Sequence, residues 1–132
     1  MNNNLKIDLV TTSEVEALHG RKVDFPVICY IGREGGEVVG AGGLCWRFNL
    51  CFVWLSINGE ATERSPYKVI SWAKRMARTA KKYGETEIFC YREDLPTSKR
   101  LLEFLGFDFH SLEEVTLEDG VVEQKELWLW QI

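Results

Sequence analysis

The run "LCFVWLSI", residues 50–57, constrains the fold more than any other stretch of the chain. It is apolar at odd and even positions alike, so a strand built from it has two faces to bury. Such a strand belongs in the middle of a sheet, with cover on both sides. A change of period downstream fixes how it connects. From Pro66 to Tyr83, Val69, Ile70, Ala73, Met76, Ala77 and Ala80 recur at three- and four-residue spacings, the buried stripe of a helix. Ser65 suits its N-cap, Pro66 its first position and Gly84 its stop. "TEIFCY" (86–91) then reads as a second strand. Strand, long helix and strand make a parallel crossover, and no other step in the chain has the length for one.

The remaining segments alternate short strands with short helices. "LKIDLV" (5–10) places Ile7 and Leu9 on one face and Lys6 and Asp8 on the other. "TTSEVEALHG" (11–20) predicts a helix of about two turns, capped by Thr12 or Ser13 and stopped at Gly20. "FPVICYI" and "EVVGAGGL" flank the turn "GREGG", and a second turn falls at 47–49. In "REDLPTSKRLLEFLGF" Thr97 is read as a cap, Leu101, Leu102 and Leu105 as packing residues and Gly106 as the stop. A hairpin about Asp119-Gly120 closes the chain, with Trp128 and Trp130 sharing one face as core residues. The order predicts a single α+β domain over residues 1–132, without repeats or linker.

Composition narrows the function classes. A net charge of −4 gives no global reason to bind nucleic acid. Arg47 and Asn49 interrupt the most apolar region well short of a membrane span, and "MNNNLK" lacks a signal-peptide core, so the expected location is the cytoplasm. Cys29, Cys45, Cys51 and Cys90 form no CxxC pair and lie in strand-like runs; with only two histidines they read as reduced core thiols and not as a zinc cluster.

The element order, together with "TSKRLLEFLGFDFH" (97–110), resembles the GNAT superfamily of acetyl-CoA-dependent N-acetyltransferases across nearly the whole chain. In that family the late helix ends in a leucine-rich turn running into Gly-Phe, here Leu105-Gly106-Phe107, and the third strand meets small residues, here "GEVVGAGGL". The resemblance implies a mixed sheet of about six to seven strands with three helices. The fourth and fifth strands splay to receive the pantetheine arm of the co-substrate acetyl-CoA, whose acetyl group passes to a primary amine on a small molecule or protein. It also implies coenzyme contacts from Leu55 and Ile57 through their backbone, from Arg64, Ser65, Tyr67 and Lys68 at the start of the long helix, and from Ser98. A homodimer is compatible with it.

Two departures from the family pattern bear on catalysis. The loop "ATERSPYK" (61–68) has no glycine, and Pro66 supplies no amide where phosphate donors are wanted. It reads either as an altered phosphate cradle, using the helix dipole with Arg64 and Lys68, or as an ordinary capped helix start. The tyrosine that the family places four residues before Gly-Phe, to protonate the departing thiolate, is Leu102 here. Tyr91, where the two strands should part, is the best substitute, and Glu60 is the candidate to deprotonate the amine. Glu63, Glu93, Asp94 and His110 are weaker candidates. Lys68, Lys74, Arg75, Arg78, Lys81 and Lys82 read as a solvated outer face or, alternatively, as a contact for an anionic partner.

A narrower resemblance, carried by Trp54 near the end of the fourth strand and Pro66 opening the long helix, is to small GNAT-like proteins of short-tailed bacteriophages. It implies an alternative: a catalytically degenerate virion or assembly component acting through protein–protein contacts.

Overall fold

The computed structural model describes residues 5–19, 26–57, 66–92, 96–117 and 119–132. Its seven strands are β1 (Leu5–Val10), β2 (Val27–Glu34), β3 (Glu37–Arg47), β4 (Leu50–Ile57), β5 (Glu87–Tyr91), β6 (Asp108–Thr116) and β7 (Val122–Gln131). They form one sheet in the order β1-β2-β3-β4-β5-β7-β6, so β4 is central, as its two apolar faces require. The helices are α1 (Thr12–His19), α2 (Pro66–Lys82) and α3 (Pro96–Leu105). Among the described residues β4 and β5 are the one parallel pair, joined through α2; the other pairs are antiparallel.

One face of the sheet carries the main core. Leu44, Cys51, Val53, Ile88 and Trp128 point toward Val69, Trp72, Ala73, Met76 and Ala80 of α2, Leu102 of α3 and Phe107. The buried stripe of α2 differs from the expected one at two positions. Trp72 is 1% exposed and belongs to the stripe, whereas Ile70 lies at its margin, half-buried. Trp130 packs against the same core as Trp128.

Local chemistry sets the element ends. The cap of α1 is Thr11, one residue before the expected Thr12 or Ser13: its Oγ1 accepts from the Glu14 amide at 3.3 Å and donates to the Glu14 carboxylate at 3.4 Å. Helix α3 begins at Pro96, so Thr97 lies inside its first turn and is not its cap. Gly84 ends α2 at φ 90°, where its amide reaches the Lys81 carbonyl and the Glu85 amide reaches that of Ala80. The Gly20 and Ser65 expectations fall outside the described residues.

The β2–β3 turn narrows from "GREGG" to Gly35-Gly36, both at positive φ. The β3–β4 turn reaches the same backbone form without glycine: Phe48 and Asn49 have φ 54° and 63°, and the Phe48 ring is 82% exposed. Because left-handed backbone costs a bulky residue about 1–2 kcal/mol, Phe48→Gly is expected to stabilise the protein by roughly 0.5–1 kcal/mol. A rise in the urea midpoint at constant m-value checks this.

Cys29, Cys45 and Cys51 are buried free thiols. Burial pushes Cys45 up to about 11 and Cys51 up to about 12, with the Glu85 carboxylate adding to the latter. Thiolate is the reactive form, so both are expected to resist iodoacetamide at pH 8 in the native state and to label on unfolding, a difference mass spectrometry reads directly. Among the described residues no helix is long and apolar enough to cross a membrane.

Candidate active site

Strands β4 and β5 bridge at a single pair, Phe52 with Phe89. Their outer edges stay fully paired: β4 with β3 from Leu50 to Ile57, and β5 with β7 from Glu87 to Tyr91. Among the described residues no bridge joins the inner edges beyond Phe52, so the backbone of 53–57 has no bridged partner on that side. Two features hold the strands to their outer partners. Gly42, opposite Leu55, has no Cβ; one there would lie 2.7 Å from Leu55 Cδ1 and 3.3 Å from the Trp72 ring, so Leu55 leans over β3 and away from β5. On the other side Arg92 ties the end of β5 to β7, its amide on the Glu126 carbonyl at 2.9 Å and its guanidinium on the Glu126 carboxylate at 2.8 Å.

Aromatic rings close the vertex of the gap on the face away from α2. Phe52 stacks on Tyr91 with centroids 5.6 Å apart and planes at 16°, and tilts against Phe89 at 5.9 Å. The Phe89 ring in turn takes His110 edge-on at 5.9 Å. Burial raises the Tyr91 phenol above its ordinary value; Glu113 pushes the same way, and Arg47 opposes them. The phenol therefore holds its proton through neutral pH, the state a proton donor needs.

A chain of polar contacts runs beside this cluster. Ser111 Oγ donates to Glu113 Oε1 at 2.8 Å, and His110 Nδ1 lies 3.0 Å from the same Oγ. With the one hydroxyl proton given to the carboxylate, the Ser111 oxygen accepts from Nδ1–H, which leaves Nε2 as the acceptor nitrogen of the ring. A β-bulge builds this chain: Phe109 pairs with Trp128 and Ser111 with Leu127, so His110 is the extra residue.

The structure brings some of the sequence candidates together and leaves others apart. Tyr91 lies at the parting of the strands; Leu55 and Ile57 lie on the β4 edge of the gap. Tyr67 (81% exposed) and Lys68 stand on the first turn of α2, and Ser98 falls in the first turn of α3. Glu60, Glu63, Arg64, Ser65, Glu93 and Asp94 lie outside the described residues. Leu102 is 7% exposed within the core, so α3 presents apolar packing at the position where the resemblance implies a tyrosine. Lys68, Lys74, Arg78, Lys81 and Lys82 are on the outer face of α2, as is Arg75, whose guanidinium covers the Tyr30 ring at 4.9 Å and donates to the Ile7 carbonyl. Sequence reasoning missed Ser111 and Glu113, because strict alternation puts His110 and Ser111 on opposite faces and only the bulge lets their side chains meet.

No protein-family model matches the sequence, nor does any curated protein. Solved structures match in fold. A ribosomal-protein alanine N-acetyltransferase from Escherichia coli superimposes with a TM-score of 0.70 at 9% identity, over 98% of this chain and 94% of that one. A GNAT family acetyltransferase from Elizabethkingia anophelis with acetyl-CoA bound gives 0.66 at 12%, over 99% and 100%. A Bacillus subtilis acetyltransferase in complex with CoA gives 0.66 at 13%, over 98% and 99%. The fold of this chain is thus the GNAT fold, with a seven-stranded mixed sheet and three helices among the described residues.

Proposed function

We propose that the protein transfers an acetyl group from acetyl-CoA to a primary amine on a small molecule or protein. The observation that carries this reading is the parting of β4 and β5 after one bridge while both outer edges remain paired. A gap of that kind, edged by peptide groups that no second strand takes up among the described residues, accepts an amide-bearing arm as a sheet accepts a strand. Similar structures with CoA or acetyl-CoA bound support the same choice of co-substrate.

In this reading the backbone of Leu55 and Ile57 holds the pantetheine, and Ser98 contributes from α3. Arg64, Ser65, Tyr67 and Lys68 meet the phosphates at the start of α2, where the helix dipole and two cations replace a glycine cradle. Glu60 takes the first proton from the incoming ammonium, directly or through water. The free amine attacks the thioester carbon, the C–S bond breaks, and the Tyr91 hydroxyl protonates the departing thiolate.

Thermal denaturation with acetyl-CoA tests the site. At a coenzyme concentration of 100 Kd the expected stabilisation is about 2.7 kcal/mol, read as a rise in Tm. No rise at millimolar coenzyme contradicts the reading.

A second reading, favoured by the leucine buried at position 102, is a GNAT-like phage virion or assembly component without turnover. It predicts co-sedimentation with particles and no thiol release from acetyl-CoA.

A further inference from the structure

We infer that His110, Ser111 and Glu113 form a proton relay for the acceptor amine, with His110 Nε2 taking the proton that nitrogen sheds as the C–N bond forms. The inference deepens the acetyltransferase reading and rests on it. Three observations point to it. The hydrogen-bond chain is directional: Nδ1–H to the Ser111 oxygen at 3.0 Å, then Ser111 to the Glu113 carboxylate at 2.8 Å, which fixes the ring's tautomer with Nε2 as its acceptor. The imidazole also reaches back from β6 across β7, since its ring meets Phe89 of β5. Phe89 touches Phe52, and Phe52 stacks on Tyr91, so base and acid stand on one aromatic floor at the vertex of the gap. Finally, His110 is exposed and lines an open recess of about 380 Å³ with Gly106, Asp108, Phe109, Leu129, Trp130 and Gln131, at the margin of the sheet, space for the body of an acceptor.

The chemistry balances within the named groups. The neutral amine's lone pair forms the C–N bond, and the C–S pair leaves on sulfur. The nitrogen proton passes to His110 Nε2, the sulfur takes the Tyr91 proton, and the imidazolium returns a proton to the tyrosinate through water. His110 is then a catalytic residue, and Ser111 and Glu113 are positioning residues. The aromatic floor beside a carboxylate also fits a primary amine carried on an apolar stem.

The test measures thiol release from acetyl-CoA with phenethylamine and other primary amines, alongside Tm and coenzyme affinity. His110→Ala is expected to lower kcat about 100-fold with Tm and coenzyme affinity unchanged, and added imidazole to restore part of the rate. Ser111→Ala should lower kcat about tenfold and Ser111→Thr, which keeps the hydroxyl, should recover most of it. Wild-type turnover that His110→Ala leaves intact, or a loss that neither imidazole nor Ser111→Thr restores, overturns the relay and leaves the acetyltransferase reading standing. Coenzyme binding without turnover on any amine overturns the relay; absence of both binding and turnover overturns the two together.

Discussion

Tyr91→Phe is expected to reduce thiol release from acetyl-CoA by about 100-fold while leaving coenzyme affinity within a factor of about two, because the ring and its stacking survive and only the proton is lost. Among the described residues no other phenol stands where β4 and β5 part, and Leu102 cannot supply one. The pH profile gives an independent check. An acid works only while protonated, so activity falls as pH rises through its pKa. Burial and Glu113 raise that pKa above the usual value of about 10, so the alkaline limb assigned to Tyr91 lies above it. Removing the negative charge in Glu113→Gln lowers the pKa, and the limb must move toward lower pH. A limb that stays in place separates Tyr91 from the reaction.

Gly43→Ala is expected to cause the largest stability loss. A Cβ at this β3 position would collide with the Ile28 carbonyl oxygen and lie 3.1 Å from Cys29 Cα, both backbone atoms of the paired strand β2. No rotamer change relieves a collision with backbone, so the strand pair must open or slide. A loss of roughly 3 kcal/mol is expected, read as a lower urea midpoint at unchanged m-value. Gly36→Ala makes the contrast: no atom lies within 4 Å of its Cβ position, and its cost is only that of a left-handed φ of 87°. Equal effects from the two variants would show that close approach of β2 and β3 is not what fixes glycine at position 43.

The place of Tyr91 in the fold was legible in the sequence, and the constraint at Gly43 was not. "LCFVWLSI" declared a central strand because apolar residues on both faces leave no other place for it, and it lies fourth of seven. The crossover through α2 followed from its helical period and its length, and topology then places Tyr91 at the end of β5 beside β4. The steric demand at Gly43 depends on how closely β2 passes, which no run of residues in β3 can state. Trp72 fits the stripe by spacing, three residues after Val69 and four before Met76, whereas Ile70 lies at its margin, half-buried. Position 11 escaped as a cap because three hydroxyl residues in a row are equivalent until one of them meets Glu14. His110 was visible only as a lone histidine; its partnership with Ser111 and Glu113 depends on an extra residue in β6 that alternation cannot reveal.

If the inner edge of β4 beyond Phe52 is the docking edge for the coenzyme arm, its amides must gain protection when that arm binds. Amide hydrogen exchange of residues 53–57, followed as acetyl-CoA is titrated in, reads that edge directly. Exchange there is expected to slow on binding, while the amides of β6 facing solvent at the sheet's margin do not change. Exchange at 53–57 that remains constant at saturating coenzyme would contradict the acetyltransferase reading at its root.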